Sequence, residues 1–390
     1  MRYFNYLTAA EEQTLFFLPP QSINLTNKYL LEHALGATLY MPATRQGVAQ
    51  DIIDGKLTGL MSMVLCLEDA IGDNEVIQAE RLLVNHIGQL ALAVAQGVIS
   101  EAAIPLIFVR IRNVDQMQRL TESLGEKGSL LTGFVFPKFT VTNGTAYFRA
   151  LAEINKYQAK CLYGMPILES PEIIYVESRH KNLLEIKQLL DGYRQLVLNV
   201  RFGATDFSGL FGLRRNSDMT IYDIKVIESC ITDIINVFTR PDSTYVIPGA
   251  VWEFYSSERV LKPQLRQGVF VKHLGQSGGR RMRDTLIGGY MDGLIHEIIL
   301  DKANGLIGKT IIHPSHIKPV QALCVVTHEE YMDASSILAS NNGDVGVIAS
   351  LYSNKMNEIK PHMRWAQKIM IKSKIYGVFN EQHNFTSLLT

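Results

Sequence analysis

The chain has 390 residues, 47% of them hydrophobic, and its 38 Lys and Arg are balanced by 38 Asp and Glu for a formal net charge of zero. That length allows two or three domains, or one large barrel with appendages, and the apolar content excludes disorder over most of it. Neutrality argues against a general nucleic-acid or membrane-surface binder, which would carry a positive excess. Cys66, Cys161, Cys230 and Cys324 form no C-x-x-C pair and keep no metal-site spacing. They are expected as small buried thiols in a reducing compartment. Glu11 and Glu12 interrupt any apolar core near the start, which argues against a signal peptide. No run of about 18 apolar residues predicts a membrane span. A cytoplasmic protein with neither a membrane nor a nucleic-acid partner is the expectation.

In chain order, short apolar runs recur at Thr38–Met41, Ser62–Leu67, Pro105–Ile111, Gly133–Phe136, Met165–Leu168, Leu196–Val200, Tyr245–Ile247 and Thr310–Ile312. Most are continuous rather than alternating, the pattern of strands buried on both faces of a parallel sheet. Helical spacing appears between them. Tyr222, Val226, Cys230 and Ile234 form one stripe, and Ile287, Met291, Leu294 and Ile298 another. Repeated strand–helix alternation predicts an α/β fold, a (β/α)8 barrel over residues 37–320. A lead of residues 1–36 precedes it, and a C-terminal helical segment of residues 321–390 follows. A doubly wound open sheet competes with this architecture, but no G-x-G-x-x-G or G-x-x-x-x-G-K-[ST] motif supports a nucleotide fold.

In a barrel, reactive side chains come from the C-terminal ends of strands and the loops after them. That rule selects Arg45, Glu68, Asp69, Arg110, Arg112, Lys138, Glu169, Asp206 and His313. Carboxylates are rarely buried without partners, so four of them at strand ends call for arginines or a metal.

These residues carry a resemblance. Met41-Pro-Ala-Thr-Arg45 resembles a first-strand "V-P-G-x-R", and Leu67-Glu68-Asp69-Ala70 resembles "D-L-E-D-A". Val109-Arg110-Ile111 is similar to "V-R-V-N", Phe136-Pro137-Lys138 to "l-P-K", and Pro166 to Ser170 to "i-E-t". Gly203-Ala-Thr-Asp206-Phe207 resembles "G-x-x-D-L", and Gly308 to Ile317 resembles "G-K-x-x-I-H-P-S-Q-I". In this order they are the motifs of the citrate lyase β-subunit-like group of the HpcH/HpaI aldolase superfamily.

The resemblance implies a Mg²⁺-dependent carbon–carbon lyase on a TIM barrel, with the metal held by Glu169 and Asp206. The donor chemistry agrees: two carboxylates leave octahedral positions for water and substrate oxygens, which suits Mg²⁺ and not Zn²⁺. It also implies that Arg110 clamps a substrate carboxylate or enolate oxygen, a task for a planar, permanently charged fork. Arg112 lies two residues on, facing the same side of a strand, and either could serve. Glu68 and Asp69 would orient the arginine and hold waters at the metal. Arg45, Lys138 and Arg214 are candidate substrate contacts, and His313 is a hydrogen-bonded core histidine or a base. Lys355 to Pro361 resembles "g-K-M-v-D-x-P", which implies a homo-oligomer, such as a trimer, in which Glu358 reaches a neighbouring active site as acid or base.

The sequence also departs from the family pattern. Cys66 stands for the first acid of "D-L-E-D", Ala43 replaces a glycine, and the stretch from Glu169 to Asp206 is longer than the family's. Arg214 and Arg215, and the later Gly278-Gly-Arg-Arg-Met-Arg283, place basic residues beside glycines in loops suited to phosphate. The expected substrate is a small keto- or hydroxy-carboxylate, with free acid, thioester and phosphorylated forms all open. Cleavage or synthesis would run through an enolate whose charge is spread onto Mg²⁺ and Arg110. The alternatives are a Mg²⁺-dependent transferase or hydrolase of a phosphorylated metabolite, and a binding protein that keeps the fold without turnover.

Overall fold

A computed structural model describes residues 1–242, 244–255 and 289–389. The chain divides into two compact units: residues 35–317, and residues 1–34 together with 318–390. The terminal segments, expected as two separate pieces, are therefore parts of one unit.

The described residues of 35–317 build a sheet of eight parallel strands. They are β1 (Ala37–Pro42), β2 (Ser62–Cys66), β3 (Leu106–Arg110), β4 (Leu131–Phe136), β5 (Tyr163–Leu168), β6 (Arg201–Phe202), β7 (Gly249–Trp252) and β8 (Lys309–Ile311). The ladder runs from β6 back through β5, β4, β3, β2 and β1 to β8 and then β7. The ring closes between its two ends through the Val200 N–H, which donates to the Val246 carbonyl at 3.1 Å. Every residue of β2, β3 and β5 is buried, as strands covered on both faces require.

Helices α1 (Val48–Ile53), α2 (Val76–Ala95), α3 (Val114–Leu124), α4 (Val141–Asn155), α5 (Val176–Gly192), α6 (Lys225–Phe238) and α7 (Gly289–Ala303) alternate with the strands. In α2, Ala79, Leu83, Ile87 and Leu90 recur at helical spacing and are buried. Local caps start the helices that follow the site strands. The Asn113 side chain accepts from the Gln116 N–H at 2.9 Å, and Thr140 forms a capping box with Asn143.

Two expected strands begin too early in the sequence reading. Residues 196–200 do hydrogen-bond to β5 through Gly164, but the regular pairing of β6 starts only at Arg201. Ile247 accepts from the Ile307 N–H, Pro248 has no N–H to continue the ladder, and β7 begins at Gly249. The α6 stripe also shifts: Ile227, Cys230, Ile231, Ile234 and Phe238 are buried, while Tyr222 precedes the helix. Of the other stripe, Leu294 and Ile298 are buried in α7, and Ile287 lies outside the described residues, as does the basic run at 278–283. Cys66, Cys230 and Cys324 are buried as expected, but Cys161 is exposed.

A buried ionic cluster ties α7 to β8. Lys309 Nζ lies 2.8 Å from Glu297 Oε1 and 2.7 Å from Asp301 Oδ2, and the Tyr222 hydroxyl donates to Asp301 Oδ1 at 2.6 Å. Arg215 also pairs with Glu297 and lies over the Trp252 ring.

In the other unit, Phe16–Leu18 pairs antiparallel with Val378–Phe379. Helices His328–Ala339 and Ile359–Tyr376 share a core of Val326, Ala334, Ile337, Ala366, Ile369 and Val378. The expected C-terminal helical segment also holds a hairpin, Val347–Ala349 with Met356–Glu358. Among the described residues no helix is long and apolar enough to cross a membrane.

Candidate active site

The C-terminal ends of β2 to β6 bring six of the selected residues together. Arg110, the last residue of β3, is buried, and its Nη2 lies 2.7 Å from Glu68 Oε2, 3.0 Å from Asp69 Oδ2 and 2.9 Å from Glu169 Oε1. Its Nε is buried with no hydrogen-bond partner. Lys138, after β4, adopts a left-handed backbone conformation with φ 45°, uncommon for a residue with a Cβ. Its N–H donates to Glu169 Oε1 at 2.8 Å, and its Nζ pairs with Glu68 and Asp69. Strained backbone of this kind persists where the surroundings over-determine it.

Glu169 follows β5 and Asp206 lies in the first turn of the short helix Ala204–Leu210 after β6. Gly203 stands between them. A Cβ there would fall 2.4 Å from Glu169 Oε2 and 2.9 Å from Asp206 Oδ2, so glycine is what lets the two carboxylates converge. Burial pushes the Glu169 carboxyl up to about 8, with Arg110 pulling it down and Asp206 pushing it further up. Asp206 is raised too, chiefly by burial, against the pull of Arg110. Asp69 goes the other way: burial is outweighed by hydrogen bonding to Glu68 and by the charges of Arg110 and Lys138. Asp69 is thus balanced by its cations, whereas Glu169 and Asp206 keep a charge conflict that a further cation would relieve.

Asp69, Arg110, Glu169 and Asp206 line a cavity of 480 Å³ with Tyr40, Cys66, Arg201 and Thr310, and Glu68 and Lys138 hold Arg110 and Glu169 from behind it. The size suits a small metabolite. Among the described residues no group of three or more His, Cys, Asp or Glu is arranged to hold a metal ion. Two carboxylates with open positions fit a hard, oxygen-liganded cation that retains water, which is the chemistry of Mg²⁺.

Over residues 29–378 the sequence matches the family of C–C bond lyases of the TIM-barrel fold. The chain belongs to that family. No curated protein is detectably similar to it in sequence. Among solved structures, a citrate lyase from Burkholderia xenovorans LB400 is similar, with 14% identity and a TM-score of 0.60 over 91% of this chain and 96% of that one. CitE from Mycobacterium tuberculosis, in complex with magnesium, acetoacetate and coenzyme A, shares 16% identity with a TM-score of 0.51 over 88% of this chain and 99% of that one. At these identities the likeness concerns the barrel itself.

Other selected residues of this C–C bond lyase lie away from the cavity wall. Arg45 pairs with Asp51 at 2.6 Å and contacts Met41 Sδ. Arg112 donates from Nε to the Leu67 carbonyl at 2.7 Å and pairs with exposed Asp73, which makes it a brace for the β2 loop. Arg214 lines an adjoining cavity of 220 Å³ that shares Ala204 and Thr205 with the first. His313 bonds Ser315 and stacks on Tyr255 at 4.5 Å. Glu358 is exposed at the start of helix Ile359–Tyr376 and makes no side-chain cap. Cys66, in place of the motif's acid, lines the cavity with its thiol pushed up by burial.

Arg201 is the residue that strand-end reasoning missed. It lies within β6 rather than after it, and its signal is a charged residue inside an apolar strand run, Leu196 to Phe202.

Proposed function

We propose that the chain makes or breaks a carbon–carbon bond beside the carboxylate of a keto- or hydroxy-acid, with Mg²⁺ held by Glu169 and Asp206. The observation that carries this is the convergence of the two carboxylates over Gly203, beside Arg110, in one cavity. The magnesium and acetoacetate in the CitE complex support the reading. Mg²⁺ at this place supplies a concentrated positive charge toward substrate oxygens and leaves positions for them.

The protein's own groups do the rest. Arg110 is fixed by three carboxylates on one nitrogen, which leaves its unpartnered Nε–H available to negative charge developing on an enolate oxygen. Glu68 and Lys138 hold that guanidinium and the Glu169 carboxylate in register, so little reorganisation accompanies the reaction. Bond cleavage in a hydroxy-acid releases a hydroxyl proton, and we assign its acceptor to Glu358 of a second copy. The Glu358 carboxylate is exposed, which suits a group offered to a neighbour.

The test is exchange of the C3 protons of pyruvate in deuterated water, followed by proton NMR. Magnesium-dependent exchange, lost in Asp206→Asn and Arg110→Lys, is the expected result. Absence of exchange in the wild type at saturating magnesium contradicts the proposal. Mixing Glu358→Gln with Asp206→Asn subunits tests the acceptor: recovered activity is expected, and no recovery removes Glu358 from the site.

A further inference from the structure

We propose that Arg201 selects substrates carrying a second anionic group, a carboxylate or phosphate distal to the end that meets Glu169 and Asp206. The inference rests on the enolate-lyase reading above and deepens it by naming the substrate class.

Arg201 is 2% exposed, yet it lines the cavity. Its Nη2 donates to Thr310 Oγ1 at 2.9 Å, its Nη1 lies 3.7 Å from Met165 Sδ, and its guanidinium carbon is 5.6 Å from the centre of the Tyr40 ring. A guanidinium has five N–H donors, and these contacts occupy few of them. Among the described residues no carboxylate pairs with it.

This arrangement contrasts with the other buried cations of the barrel. Arg110 meets three carboxylates, Lys309 two, and Arg179 meets Asp233 at 2.8 Å. Charges in a protein interior are paired as a rule, because removing them from water is costly. Thr310 and Tyr40 offset part of that cost without supplying negative charge. An anion entering the cavity would supply it, and would find the guanidinium already oriented by Thr310 and Met165.

The placement suits a small dianion. Arg201 opens β6 and Gly203 follows the end of that strand, so Arg201 lies deeper in the barrel than the loop over which the carboxylate pair converges, within the same cavity. Of the other candidate contacts, Arg45 is engaged by Asp51 and Lys138 by Glu68 and Asp69.

Calorimetry with pyruvate, oxaloacetate and 3-phosphonopyruvate at saturating magnesium tests the proposal. The wild type should bind at least one of the dianions at least tenfold more tightly than pyruvate, and which one it prefers distinguishes carboxylate from phosphate. Arg201→Gln should reduce that preference below threefold. Arg201→Lys should keep an intermediate preference, and Thr310→Val, which frees the guanidinium, should weaken it severalfold. Equal affinity for all three ligands in the wild type, or an undiminished preference in folded Arg201→Gln, overturns the proposal. Magnesium binding without any acid reports separately on the underlying reading. Should the metal not bind, inorganic phosphate decides: a thermal shift present in the wild type, reduced in Arg201→Lys and missing in Arg201→Gln supports the anion site, and no shift in the wild type or an undiminished one in Arg201→Gln overturns it.

Discussion

Gly203→Ala should damage cation binding more than it damages the fold. The Gly203 backbone, at φ −98° and ψ 84°, is open to any L-residue, so the cost is steric. The added methyl would lie 2.4 Å from Glu169 Oε2, 2.6 Å from Glu169 Cβ and 2.9 Å from Asp206 Oδ2, all inside van der Waals contact. Glu169 Oε1 is held by Arg110 and the Lys138 N–H, so Oε2 and the Asp206 carboxylate must give way. Displacing ligand oxygens through such support costs roughly 10–100-fold in metal affinity, or about 1.4–2.7 kcal/mol. The overpacking itself costs about 1–3 kcal/mol of stability. The assay is calorimetric magnesium titration beside thermal unfolding in EDTA. Gly209→Ala is the control, because its Cβ meets nothing within 4 Å and it lies in a helix, where alanine stabilises by about 0.5–1 kcal/mol. Wild-type magnesium affinity in Gly203→Ala would refute the argument.

Further predictions follow from the same contacts. Arg110→Lys should lower kcat roughly 10²–10³-fold by steady-state kinetics, while Arg112→Lys, which alters a brace on Asp73, should stay near wild type. Lys309→Met leaves Glu297 and Asp301 buried without their shared cation and should cost about 3–5 kcal/mol in urea unfolding. Burial, with the neighbouring His313 and Lys309 adding to it, pushes the His316 imidazole down to about 4. As pH falls the unfolded chain takes the proton first, so this contribution is complete above about pH 6.5 and is lost toward pH 4. The loss of roughly 3 kcal/mol over that window should be absent in His316→Gln.

The strands whose apolar runs are unbroken, β2, β3 and β5, were legible in the sequence to within three residues at each end. Their burial on both faces leaves nothing else for such runs to become. The starts of β6 and β7 were not, because apolar residues before them already lie in the wall, and Pro248 delays regular pairing. Motif order found the six residues gathered at the strand ends, four of which line the cavity. It could not show that Asp51 engages Arg45 or that Asp73 engages Arg112, since partners on following turns are a matter of side-chain reach. Arg201 escaped because its chemistry depends on what is absent around it, and a missing counter-ion has no sequence signature.

The central claim is that Glu169 and Asp206 hold Mg²⁺. Calorimetric titration of magnesium into metal-free wild type, Glu169→Gln and Asp206→Asn tests it directly. One site in the wild type, with affinity at least tenfold weaker in each folded variant, is the result expected of ligating carboxylates. Unchanged affinity in both variants would contradict it.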